Sequence, residues 1–165
     1  MAFSEKLKSL WNPHCWYRVL EHLGKWKPFA TQTIPPVGTA AIGAWGEEKA
    51  AQFLKKECRY RIICRNWRRG RAEIDIIAWD DPVLVFVEVR TRKADAFISG
   101  YFSITQKKKR SLNRACRTYL AQLPSCPQYF RCDVIEVELK GSGGFSLHHY
   151  ENIPLFNKHY FPHKS

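Results

Sequence analysis

The chain lacks any apolar stretch of membrane-spanning length, which argues against a transmembrane helix. Its six cysteines (Cys15, Cys58, Cys64, Cys116, Cys126, Cys132) include no C-x-x-C pair. Cys126 and Cys132 stand too far apart for a zinc knuckle, and no close histidine pair completes a site. His14, His22, His148, His149, His159 and His163 show no ligand spacing and read as loop or surface residues. With no signal-peptide pattern ahead of the cysteines, reduced and mostly buried thiols in a cytoplasm are expected rather than disulfides. The chain is also short of acid: 15 Asp and Glu stand against 27 Lys and Arg, a formal charge of +12. That imbalance points to a polyanionic partner, nucleic acid before anionic membrane; a generic basic protein, such as a ribosome-associated one, is the plainer alternative. No internal repeat divides the 165 residues, so one domain is expected.

What is present is ample for a core, at 45% apolar and 14% aromatic residues. Residues 1–38 read as an N-terminal extension and linker. Asn12-Pro13 suits a helix start and Gly24 a stop, with Trp11, Trp16, Tyr17, Leu20 and Leu23 able to form an apolar face. Such a face either packs on its own domain or docks on a partner or membrane surface. Ile34 to Gly38 reads as the linker, residues 39–156 as the main domain, and 157–165 as a C-terminal tail.

Within the domain, a helix over roughly 40–57 places Glu47 beside Ala50, Ala51 and Leu54 at the border of its buried face, while Glu48 looks solvated. A strand from Tyr60 to Asn66 leads into a basic turn, Trp67-Arg68-Arg69-Gly70-Arg71. Two apolar strands follow, Glu73 to Ala78 and Val83 to Arg90, paired as an antiparallel hairpin around Asp80-Asp81-Pro82. Thr105 caps a long helix whose apolar positions Leu112, Ala115, Cys116, Tyr119, Leu120 and Leu123 keep helical period. Its first turn holds Lys107, Lys108 and Lys109, which oppose the helix dipole. They suit either a phosphate site at a helix N-terminus or a solvated charge run. Strands from Arg131 to Leu139 and from Phe145 to Tyr150 complete an α/β domain with a mixed sheet.

Both hairpin strands carry acids that a buried strand should not tolerate. Alternate residues share a face, so Glu73 and Asp75 point one way, as do Glu88 and Arg90. Pairing Trp79 with Leu84 sets Asp75 opposite Glu88 and Glu73 opposite Arg90. Like charges directly opposite one another destabilise a sheet, and clustered carboxylates are naturally compensated by a hard divalent cation. Glu73 and Arg90 could equally form an ordinary cross-strand ion pair, and Gln106, a weaker member of the set, could merely open the second helix. A carboxylate-bound magnesium ion with a basic residue beside it could carry out phosphodiester hydrolysis.

Gly43-x-x-Gly46-Glu47-x-x-Ala50, Arg65-Asn66-Trp67, Glu73-Ile74-Asp75-Ile76-Ile77-Ala78, Val85-Phe86-Val87-Glu88-Val89-Arg90-Thr91-Arg92 and Arg131-Cys132-Asp133-Val134 stand in order. Together, over about 43–139, they resemble the YraN family, small bacterial proteins with an endonuclease-like domain. That family is similar in turn to Holliday-junction resolvases and the wider PD-(D/E)XK nuclease class. The resemblance implies a restriction-endonuclease-like fold, a mixed sheet flanked by helices, here with an N-terminal helical extension. It also implies metal-binding roles for Glu47, Asp75 and Glu88, with magnesium or manganese as cofactor. Arg90 stands where the nuclease class has lysine; arginine keeps the charge but cannot act as a base near neutral pH. Ala72 stands where the family usually has glycine.

The expected function is magnesium-dependent hydrolysis of DNA, with Glu47, Asp75, Glu88 and Arg90 as the catalytic set. Arg68, Arg69, Arg71, Lys107, Lys108 and Lys109 would hold nucleic-acid backbone without reading sequence. The alternatives are a non-catalytic nucleic-acid-binding module of the same fold, and an adaptor acting through its N-terminal helix. Resolvase-like enzymes act as dimers, so the resemblance makes a homodimer possible, although no residues of the sequence mark a dimer surface.

Overall fold

Asp81-Pro82 is the break between two long apolar strands, and the hairpin it closes lies within the sheet rather than at its edge. The computed structural model describes residues 37–93, 104–141 and 143–156, together with the backbone of 27–29. The helix expected near residues 12–24, the segment 94–102 and the tail 157–165 lie outside the described residues.

In chain order the elements are β1 (Lys27–Phe29), α1 (Thr39–Lys56), β2 (Arg61–Arg69), β3 (Ala72–Asp80), β4 (Val83–Lys93), α2 (Gln106–Leu120), β5 (Tyr129–Leu139) and β6 (Phe145–Tyr150). They form one six-stranded mixed sheet of order β1-β6-β5-β4-β3-β2. Only β4 and β5 run parallel, and α2 lies in the connection that such a pair requires. The short strand β1 was not anticipated; it takes three residues of the N-terminal stretch onto the edge of β6.

Alternation along the central strands feeds two cores. Val83, Val85 and Val87 face α1, where they meet Ala50, Phe53 and Leu54, with Ile135, Val137 and Leu147 from the neighbouring strands. Leu84 and Phe86 face α2, where they meet Leu112, Ala115, Cys116 and Leu120, with Cys132 and Val134. Burying each large aliphatic side chain contributes about 1.5–3 kcal/mol, so a strand apolar on both faces is expected only at the centre of such a stack. Gly46 lets α1 approach β4: a Cβ there would lie 1.8 Å from Thr91 Oγ1.

The sequence-based register holds, with Trp79 opposite Leu84 and Asp80 opposite Val83. One departure shapes the site. β2 runs on to Arg69, so Arg68 and Arg69 belong to an edge strand, and only Gly70-Arg71 remains of the expected basic turn. Within β2, Asn66 takes a left-handed backbone conformation with φ 52°. Asn tolerates that conformation better than most side chains. Cys64 and Trp67, three residues apart, consequently both pack towards α2, which regular alternation forbids. Ile74 and Ile77 on β3 show the same reversal. At this point the β3–β4 ladder stops, at Ile76–Val87, although β4 continues to Lys93. The strands therefore part at Asp75 and Glu88.

Candidate functional site

Where β3 and β4 part, a backbone donor of β4 is left for another acceptor. Asp75 supplies it: the Val89 N–H donates to Asp75 Oδ2 at 2.7 Å. Asp75 and Glu88 are thus brought together at the fork rather than as a closed backbone pair. Glu88 follows Leu84 and Phe86 on the α2 face and is only 2% exposed. Lys108, from the first turn of α2, reaches down to it, Nζ to Oε1 at 2.7 Å. The other oxygen, Glu88 Oε2, is buried without a hydrogen-bond partner among the described residues.

The electrostatics follow from this crowding. Burial first, and the Glu88 charge second, push the Asp75 carboxyl up to about 7; the Val89 N–H and Lys108 oppose the rise and Glu47 adds to it. Burial likewise raises the Glu88 carboxyl, against the pull of Lys108 and then Arg90. Arg90 lies two residues beyond Glu88 on β4 and is partly buried.

The other expected members are more dispersed. Glu47, partly buried on α1, lines an open recess of about 550 Å³ with Gly43, Asn66 and Arg68. Glu48 is exposed, as expected, and pairs with Arg65 at 2.5 Å. Glu73 does not take up the expected pairing with Arg90: on the exposed face of β3 it accepts from Arg68 at 2.5 and 3.0 Å, because Arg68 is its cross-strand partner on β2. Gln106 is the first residue of α2 and is exposed. Thr105 caps that helix, its hydroxyl accepting from the Lys108 N–H at 3.2 Å. Lys107 is exposed, while Lys108 and Lys109 are partly buried.

Sequence reasoning missed a second polar cluster on the α1 face. Asp133 is fully buried and accepts from Arg131 Nε at 2.9 Å and from the Asn152 N–H at 2.8 Å, and it bonds His149 Nε2 at 3.0 Å. Arg131 also reaches Asp80 at 2.9 Å and the Tyr60 hydroxyl at 2.5 Å. Burial alone would raise the Asp133 carboxyl, but His149 and Arg131 together hold it below its usual value. His149 is therefore not a surface residue, as expected from the sequence, but 4% exposed. The signal was available: Phe145, Leu147 and His149 alternate on one strand face.

The donor set at the fork consists of carboxylate oxygens, one of them orphaned and buried, which suits a hard divalent cation. Among the described residues no three His, Cys, Asp or Glu side chains gather into a complete cage. Magnesium does not require one: it usually keeps several waters and takes one or two carboxylates plus substrate phosphate. Two carboxylates therefore fit the ion, with Glu47 as a neighbouring charge.

A mixed sheet with a helix on each face is the restriction-endonuclease-like arrangement. The chain belongs to the uncharacterised protein family UPF0102, the YraN family, which it matches over residues 46–137. It is 47% identical over 97 residues to a UPF0102 protein of Symbiobacterium thermophilum, covering 59% of this chain and 81% of that one. A UPF0102 protein of Herpetosiphon aurantiacus is 38% identical over 120 residues, covering 70% of this chain and 94% of that one. One from Desulfosudis oleivorans is 44% identical over 96 residues, covering 58% and 77%. No helix among the described residues is long and apolar enough to cross a membrane.

Proposed function

We propose that this protein is a magnesium- or manganese-dependent nuclease that hydrolyses phosphodiester bonds in DNA. The observation that carries the reading is the buried Glu88 Oε2, left without a hydrogen-bond partner beside a second carboxylate whose proton affinity is raised. Asp75 and Glu88 would hold the ion, and Glu47 would add its charge from α1. When bound, such an ion supplies neutralisation of the phosphate and an activated water. Asp75 also spends one oxygen on the Val89 N–H, which fixes its carboxylate against the β4 backbone. Arg90 supplies a permanent positive charge to the phosphate but no base. Arg68, Arg69 and Arg71, with Lys107 and Lys109, would hold the DNA backbone, independently of sequence.

A second reading is a nucleic-acid-binding module of the same fold that does not cut. Arg90 in the lysine position favours it, since phosphate binding survives that exchange more easily than hydrolysis. Plasmid, single-stranded and four-way-junction DNA incubated with the protein and magnesium or manganese separate the two. Cleavage by wild type that Glu88→Gln abolishes is the expected result. Three intact substrates at high protein concentration would end the catalytic reading. Binding unchanged in Asp75→Ala and Glu88→Ala, with no metal bound by wild type, would establish the module. Affinity that does not fall with added salt would remove both.

A further inference from the structure

Three lysines in the first turn of a helix are unfavourable to it, because each opposes the helix dipole. One of them has a compensating partner. Lys108 turns inward and places its ammonium 2.7 Å from Glu88 Oε1, in a pair where the acid's side chain is 3% exposed and the lysine's 36%. The Lys108 backbone is pinned by the Thr105 cap, so the stem hangs from a fixed point while its end reaches between protein and solvent. Two acids thus share one ammonium and one backbone N–H, and Glu88 Oε2 remains unsatisfied. A lysine carries a compact charge on a flexible four-carbon stem with three rotatable donors, which suits a cation that must let go.

We propose that Lys108 is a built-in counter-ion for Asp75 and Glu88, which a divalent cation displaces, turning the ammonium outward to a phosphate of the bound DNA. The exchange rests on the metal reading above; the delivery to phosphate rests on the nuclease reading as well. In the metal-free chain Lys108 neutralises Glu88 through Oε1, beside the unpartnered Oε2 that a metal would take. In the loaded chain its released ammonium joins Lys107 and Lys109 at the start of α2, where backbone phosphate can meet it. The role differs from that of Arg90, which lies on β4 itself and stays charged in either state.

The test is manganese binding to the full chain by titration calorimetry, in wild type, Lys108→Met and Lys108→Arg. Removing the competing charge should tighten manganese binding by about tenfold in Lys108→Met, and Lys108→Arg should stay near wild type. Lys108→Met should also melt lower than wild type in chelator and recover when manganese is added. DNA cleavage by Lys108→Met should fall in spite of the tighter metal, a split that a merely structural lysine would not produce. A measurement on wild type alone guards against misfolding of the variants. Acetylation of Lys108, followed by mass spectrometry, should rise on adding manganese, with Lys107 as the internal reference. Manganese bound equally well by wild type and Lys108→Met, or Lys108 acetylation unchanged by bound manganese, would overturn the exchange alone. Manganese bound by none of the three proteins would overturn the metal reading and the exchange with it. Tighter metal in Lys108→Met without loss of cleavage would overturn the delivery to phosphate.

Discussion

Glu88 and Asp133 occupy adjacent rungs of the β4–β5 ladder, where Val87 pairs with Asp133 and Glu88 with Val134. They are almost equally buried, yet the sheet separates them onto opposite faces and treats them in opposite ways. Asp133 is given Arg131, His149 and the Asn152 N–H, and its carboxyl is held below its usual value. Glu88 is given one lysine that is a third exposed, and its carboxyl is pushed up. A buried charge that is fully paired and hydrogen-bonded serves the fold. One left partly satisfied, next to another acid, costs stability and persists where it is useful for something else. The contrast therefore assigns Asp133 to structure and supports the role proposed for Glu88.

The contrast breaks first on stability. Asp133→Ala should cost about 3–5 kcal/mol, because it leaves Arg131 and His149 buried without their shared acid. Glu88→Gln in chelator should be neutral or stabilising, since it removes a buried charge that the fold satisfies only in part. Urea unfolding of both variants measures the difference. Equal losses would mean that Glu88 is as structural as Asp133.

A second effect, bounded by about 4 kcal/mol, is expected in the pH dependence. The folded-state carboxyl of Asp75 stands at about 7, above the unfolded range near 4. The folded chain therefore holds a proton that the unfolded chain has lost. Its stabilising contribution is complete below about pH 4 and disappears as pH rises towards about 7. Asp133 has the opposite sign: its depressed value adds stability above the unfolded range, and this is lost on acidification. In chelator, Asp75→Asn should flatten the decline between about pH 4 and 7 and leave the acid limb in place. A decline that survives Asp75→Asn would place its origin elsewhere.

The two faces also differed in how much of them could be read beforehand. The fork acids were legible because charge inside an apolar run stands out at any register, and the Asp81-Pro82 break fixed the pairing of Trp79 with Leu84. The reversal at Asn66 was not, because it rests on one left-handed residue whose side chain gives no periodic signal. Arg68 and Arg69 look like a turn by composition, yet Arg68 finds a cross-strand acid in Glu73, which favours extending the strand. Lys108 was indistinguishable from Lys107 and Lys109, since which of three consecutive helical residues points inward depends on how the helix sits on the sheet. The Asp133 cluster draws on β5, β6 and the segments beside them, and only the assembled sheet brings Arg131, His149 and Tyr60 to one acid.

The smallest expected effect concerns Glu47, the member that the geometry left at the margin. Its charge adds to the rise of the Asp75 carboxyl, but it comes after burial and Glu88 among the causes. It lines a recess with Gly43, Asn66 and Arg68, on the flank where α1 meets β2. A residue acting through its field, screened by water, should matter less than one that touches the ion. Glu47→Gln should weaken manganese binding by only about threefold, against tenfold or more for Glu88→Gln. Calorimetric titration of both variants decides the point. Losses of equal size would move Glu47 inside the metal site, and would require α1 to shift on its Gly46–Thr91 contact when the ion binds.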